Sequence, residues 1–172
     1  MKPKVAMADN KDLFMELPEC LLHSIISGLP FKEAARTSIL SKHWLSLWRA
    51  TRNIEFEESF FVKHGESDAT NAMKRRVFID FVQQWIANYS EPCIDKFALV
   101  FSKPKQFVAD MENFIAFAIA KNVKVLSLDF SDPENHTPLF DLPSHVYGLG
   151  VLESLKLFLC KIHACFQKFQ YA

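Results

Sequence analysis

The stretch "VKVLSLDF" at residues 123–130 has an echo on either side, "IDKFALVF" from residue 94 and "LESLKLFLCKI" from residue 152. Ile94, Val123 and Leu152 open the three copies. Phe97, Leu126 and Leu155 follow in each, and then Leu99, Leu128 and Leu157. Each step is 29 residues. Inside a copy the later apolar residues alternate with others, the period of a strand that buries one face. Like strands recurring at one fixed spacing stack in parallel, and their apolar positions then line one continuous core.

A fixed period at the top of the range of about 20–29 residues, headed by L-x-x-L-x-L, is the signature of a leucine-rich repeat. The third copy completes it, since Leu152, Leu155, Leu157, Cys160 and Ile162 fit L-x-x-L-x-L-x-x-C-x-L. The first copy lacks the Cys/Asn position. The connections fit as well. Residues 107–121 place Phe107, Met111, Phe114, Ile115 and Ala118 at helical spacing, and residues 77–89 do the same with Val77, Phe78, Phe81, Val82, Trp85 and Tyr89. "DPENHTPLFDLPSHVYGLG" reads as a loop. Strand residues on the opposite side from the leucines are Lys96, Ala98, Val100, Val125, Ser127, Asp129, Ser154, Lys156 and Phe158. They mix charged and apolar groups and name no ligand class. Behind the last strand, "HACFQKFQYA" shows no polar capping repeat of the kind a solenoid end needs.

Upstream lies a different pattern. In "LPECLLHSIISGLP" Pro18 suits a helix start, and Gly28 with Leu29-Pro30 ends that helix. At about 100° per residue, Leu17, Leu21, Ile25, Leu29, Leu22 and Ile26 cover about 180° of the cylinder. An ordinary surface helix needs an apolar stripe of about 100°. "FKEAARTSIL" reads as a second short helix. Ser41 is the N-cap residue of a third, "KHWLSLWRAT", whose Trp44, Leu45, Leu47 and Trp48 span about 160°. Two readings stay open for these wide faces: core against the rest of the chain, or an interface with another protein.

Composition narrows the classes. Of 172 residues 49% are apolar and the formal net charge is zero, so a real core is expected, with no global electrostatic pull toward nucleic acid or an anionic membrane. No uncharged apolar run reaches the roughly 18 residues of a membrane span. The N-terminus lacks a signal-peptide pattern. The four cysteines are then expected as free thiols in a reducing compartment. His163 and Cys165 lack further ligands nearby, so no metal site is expected. Gly-x-Ser-x-Gly, His-Glu-x-x-His, Gly-x-Gly-x-x-Gly and Gly-Lys-Ser/Thr are missing, which argues against an enzyme. A helix-turn-helix is the rival for the N-terminal helices, with Lys32, Arg36, Lys42, Arg49 and Arg52. A recognition helix, however, aims polar side chains at base edges, and "KHWLSLWRAT" offers mostly Trp and Leu.

Residues 12–58 resemble the F-box in its plant-type form. Leu17-Pro18, Leu21-Leu22, Ile25-Ile26, Leu29-Pro30, "TSILSKHW", Leu47-Trp48 and Ile54-x-Phe56 with acidic residues after it carry the resemblance. Two departures are Glu19-Cys20, where the family commonly has two acidic residues, and His43, where it usually has Arg. An F-box followed by leucine-rich repeats is similar to a large plant family of F-box/LRR proteins. The resemblance implies an α/β organisation: a disordered tail at 1–11, a three-helix F-box at 12–58, a linker and helix at 59–90, a short leucine-rich-repeat solenoid of parallel strands plus helices at 91–163, and a tail at 164–172.

The implied role is a non-catalytic substrate-recognition subunit of an SCF (Skp–cullin–F-box) E3 ubiquitin ligase, cytoplasmic or nuclear, with no cofactor. Its partners are the Skp-family adaptor, cullin through that adaptor, and an unknown protein substrate. By resemblance the adaptor contacts are Leu17, Pro18, Leu21, Leu22, Ile25, Leu29, Pro30, Leu45 and Trp48. Trp44 instead clamps the third helix on the first. The substrate face is Lys96, Val100, Val125, Ser127, Asp129, Ser154, Lys156 and Phe158. Family members usually continue through further repeats, so the chain reads as truncated. A binder of the adaptor that delivers no target is the alternative.

Overall fold

The 29-residue period is a structural register. In the computed structural model, which describes residues 17–63, 65–131, 140–144, 146, 150–158 and 160–161, strands β2 (Lys96–Val100), β3 (Val125–Asp129) and β5 (Ser154–Phe158) pair in parallel. Lys96 lies opposite Val125, and Val125 opposite Ser154. The backbone repeats with the sequence: Val125 N–H donates to the Asp95 carbonyl, and Ser154 N–H to that of Lys124. Ile94, Phe97, Leu99 and Phe101 have no exposed surface, and neither do their counterparts Val123, Leu126, Leu128 and Phe130.

A fourth strand was not legible as one. β1 (Asn53–Glu57) pairs in parallel with β2, Asn53 opposite Lys96, so the sheet order is β1-β2-β3-β5. Its step to β2 is longer than the repeat. Ile54 and Phe56 nevertheless enter the same buried rows as Phe97 and Leu99. The chain divides into two compact units between Trp48 and Arg49, and β1 lies in the second. The expected boundary at residue 58 therefore falls past the start of the sheet, because Ile54 and Phe56 bury themselves as strand residues rather than closing the N-terminal segment.

One face of the sheet carries α4 (Asp68–Ala87) and α5 (Val108–Ala120). α4 starts nine residues before the expected helix. Ser67 caps it, its hydroxyl accepting from Thr70 N–H at 3.3 Å. Its first turns bury little: Met73 and Val77 stay exposed, and the core stripe is Phe78, Ile79, Val82 and Trp85. Phe56 joins strand to helix edge-on, 5.4 Å from Trp85 and 6.0 Å from Phe97. On α5, Met111, Phe114, Ile115 and Ala118 are buried, as the spacing predicts. Asn122, in the left-handed region at φ 52°, ends that helix. Its N–H donates to Ile119 O at 2.9 Å while Val123 N–H donates to Ala118 O at 3.2 Å. This paired closure delivers Val123 directly to the start of the next strand copy.

After β3, the short β4 (Phe140–Asp141) pairs in parallel with β6 (Cys160–Lys161), a pairing the sequence did not predict. Phe140 packs 4.9 Å from Phe130. Leu155 and Leu157 are only half-buried, unlike their equivalents in β2 and β3. The expected tails, with His163, Cys165 and Ile162, lie outside the described residues.

The first unit holds α1 (Glu19–Gly28), α2 (Phe31–Thr37) and α3 (Lys42–Arg49), the last of these ending at the divide. Pro18 and Pro30 sit just before α1 and α2 with extended ψ near 140°. Their carbonyls accept the first helical N–H bonds, at 2.9 Å in each case. The Ser41 hydroxyl accepts from Trp44 N–H at 3.3 Å and caps α3.

Candidate interaction surfaces

The half-cylinder apolar face of α1 splits into two stripes. Taking Leu21 as zero at about 100° per residue, Ile25 falls near 40° while Leu22 and Ile26 fall near 100° and 140°. Leu22 and Ile26 are 2% and 1% exposed; Leu21 and Ile25 are 49% and 39% exposed. The same helix therefore serves a core and leaves a second apolar stripe open to solvent. Pro18 and Pro30 are exposed, and Leu17, Leu29 and Leu45 are half-buried. Between α2 and α3, Ile39 and Leu40 stand out at 86% and 64% exposure. The sequence places Ile39 and Leu40 inside the second helix, but α2 ends at Thr37 and leaves both in the following turn. The available signal was two aliphatic residues just before a capping serine, off the faces that α2 and α3 bury.

Two of the expected contact residues are placed differently. Leu22 belongs to the buried stripe. Trp48, expected to face outward, is buried beside Phe31, with ring centroids 5.6 Å apart. Trp44 is buried, as expected for a residue that closes the helices on themselves. The wide face of α3 thus turns most of its aromatic surface inward, and Leu45 is its half-buried margin.

The second surface is the side of the sheet away from α4 and α5. Register places its side chains in rows: Asn53, Lys96, Val125 and Ser154; then Glu55, Ala98, Ser127 and Lys156; then Glu57, Val100, Asp129 and Phe158. All eight expected substrate-face residues, together with Ala98, share it. Glu55 and Lys96 form an ion pair there. Both are about two-fifths exposed, so solvent screens the pair and it adds little stability. Val100 and Phe158 are 38% and 53% exposed.

Just past the C-terminal ends of β1 and β2 lies a buried polar cluster that sequence reasoning missed. Glu58 is 5% exposed. Its carboxylate accepts from Arg75 Nε at 2.6 Å, from Ser102 N–H at 2.5 Å and from the Ser102 hydroxyl at 3.1 Å. A cleft of about 350 Å³ opens beside it, lined by Val100, Ser102, Ser131, Asp68, Asn71 and Arg75 among others. Elsewhere, Tyr89 stacks on Trp85 and donates to Cys93 O at 3.1 Å; burial lifts its hydroxyl well above the usual tyrosine range. Burial likewise pushes the Cys160 thiol up to about 12. Cys20, Cys93 and Cys160 are free thiols. Among the described residues no group of three or more His, Cys, Asp or Glu is placed to hold a metal ion, and no helix is long and apolar enough to cross a membrane.

Residues 14–55 match the F-box domain family, over the segment that carries the exposed α1 stripe and the Ile39-Leu40 pair. The chain is 41% identical over 166 residues to an Arabidopsis thaliana protein named as F-box/LRR-repeat, covering 91% of this chain and 34% of that relative. A second Arabidopsis F-box/LRR-repeat protein is 35% identical over 161 residues, covering 88% of this chain and 34% of its own length. An Arabidopsis F-box protein is also 35% identical, over 159 residues, with 87% and 34% covered. The chain spans about a third of the length of these relatives. No solved structure matches it.

Proposed function

We propose that this chain, which carries an F-box domain over residues 14–55 and is similar across most of its length to plant F-box/LRR-repeat proteins, is a substrate-recognition subunit of an SCF-type ubiquitin ligase. The observation that carries the reading is the exposed apolar stripe inside the matched domain. Leu21 and Ile25 on α1, together with Ile39 and Leu40, present aliphatic surface that the described residues leave exposed. A Skp-family adaptor helix laid on this stripe buries it, at about 25 cal/mol for each Å² removed from water. Buried apolar anchors of this kind dominate interface energetics.

In this role the chain breaks no bond. The F-box fixes it to the adaptor and, through that, to cullin. The sheet and its helices form a short leucine-rich-repeat segment whose open face holds a target protein. Rate enhancement comes from proximity, a target lysine being held at high effective concentration near the ubiquitin-charged enzyme. Chemistry stays with other subunits.

The test is co-purification of a Skp-family adaptor with the chain and with Leu21→Asp/Ile25→Asp, circular dichroism confirming that the variant keeps its helices. Both replaced side chains are solvent-facing, so the fold is expected to persist while the adaptor is lost. Adaptor recovered equally with both chains refutes the assignment of this stripe.

A further inference from the structure

The row of the sheet's open face nearest the C-terminal strand ends differs from the other two. Register sets Glu57, Val100, Asp129 and Phe158 side by side. The two other rows each contain a lysine, and Lys96 is tied to Glu55. This row holds two carboxylates and no cation. Glu57 accepts only from the Ser59 hydroxyl and Asp129 only from Ser131 N–H, so neither has an ion-pair partner among the described residues. The apolar members, Val100 and Phe158, are the two large apolar side chains of the face that are most open. Val100 also lines the cleft beside Glu58. Within that cleft the Glu58 and Glu66 carboxylates are already bonded to Arg75 and Lys74. Lys63 lines the cleft too, which offsets its remaining acid, Asp68. The uncompensated negative charge therefore lies over the row.

We propose that this row is where the target docks, and that the target presents an extended segment pairing basic residues with an adjacent apolar one. The inference rests on the substrate-recognition role above and adds the chemistry of the substrate. Strands are about 4.8 Å apart, so the row runs about 14 Å from Glu57 to Phe158. An extended segment places successive same-side residues about 6.8 Å apart, so three of them span that distance. Two basic side chains meet Glu57 and Asp129, and an aliphatic one packs on Phe158. Opposite charge over an apolar floor supplies register and rejects acidic competitors.

The experiment uses the full chain and a fluorescein-labelled peptide containing Arg-Ser-Arg-Ser-Leu, with Glu-Ser-Glu-Ser-Leu and Arg-Ser-Arg-Ser-Ser as counterparts. Fluorescence anisotropy is expected to show binding of the first, none of the second, and weaker binding of the third. Glu57→Lys/Asp129→Lys is expected to weaken the first peptide by about tenfold or more. A matched change of net charge elsewhere, Glu19→Lys/Glu112→Lys, is expected to leave it within about twofold. Equal binding of the arginine and glutamate peptides to the unmodified chain overturns the proposal without any variant having to fold. Equal weakening by both lysine pairs reduces it to bulk electrostatics and overturns it as well. A third overturning result is a concentration-dependent dimer, seen by analytical ultracentrifugation, that Glu57→Lys/Asp129→Lys dissolves, since the row would then be a self-interface. Adaptor co-purification is scored on the same samples. Peptide selectivity without adaptor binding upholds the docking row and refutes the ligase role. Adaptor binding without selectivity does the reverse.

Discussion

Replacing Glu58 by glutamine tests the buried cluster that ties α4 to the strand ends. The native carboxylate is 5% exposed and bonded by Arg75 Nε and by two groups of Ser102. The Arg75 side chain is 12% exposed, so neither charge is well solvated. Glutamine keeps the shape and one acceptor oxygen but strands the guanidinium. The cost lies between losing one charge-assisted hydrogen bond and breaking a buried ion pair, so about 2–4 kcal/mol is expected. Arg75→Met leaves the carboxylate with the Ser102 donors alone, and about 2–3 kcal/mol is expected. The double variant removes both charges together. It is expected to recover at least about 1.5 kcal/mol relative to the sum of the single changes. Urea unfolding supplies the stabilities, and hydrogen exchange at the Ser102 amide, which donates to Glu58, supplies a local reading. Additivity within about 0.5 kcal/mol would refute the coupling, whatever the size of the single effects.

Leu128 has no exposed surface whereas Leu157, its repeat equivalent, is half-buried. Leu128→Ala is expected to cost about 2–5 kcal/mol and Leu157→Ala about half of that or less, compared by urea midpoint at unchanged slope; equal costs would contradict the gradient of packing along the sheet. Ser41→Ala removes the hydroxyl that accepts from Trp44 N–H and is expected to cost about 1 kcal/mol, with Ser41→Asp recovering most of it. Burial raises the Cys160 thiol to about 12, so at pH 8 it holds less thiolate than an ordinary cysteine. Iodoacetamide is expected to alkylate exposed Cys20 first, read by peptide mass. The folded-state pKa is the raised one, so the stability linked to this thiol is whole below about 8.5 and falls as pH climbs from there toward the folded value.

Within the repeats, sequence and structure agree because the same periodicity governs both. Side chains of a strand alternate, and a fixed 29-residue step lets like residues meet only in one parallel register. Elsewhere the pattern was weaker than the packing. β1 was hidden since it has two buried residues, a longer step to its neighbour, and a place beside a recognisable motif. The early turns of α4 were hidden since Met73, the one large apolar side chain in residues 68–76, faces solvent, leaving only the Ser67 cap as a signal.

Residue spacing alone is enough to read an F-box-like helical segment ahead of parallel strands, with apolar faces wider than one small helix needs. It could not divide those faces. Helical spacing puts Leu21, Ile25, Leu22 and Ile26 on one side without saying which pair is covered, and it treats Trp44 and Trp48 alike. Only tertiary packing separates the buried stripe from the open one and turns both tryptophans inward. The 29-residue step already aligns Val100, Asp129 and Phe158, but only the pairing of β1 with β2 adds Glu57 to their row, because β1 stands outside the repeat. Periodicity records which side of an element is apolar; what covers that side depends on contacts between residues far apart in the chain.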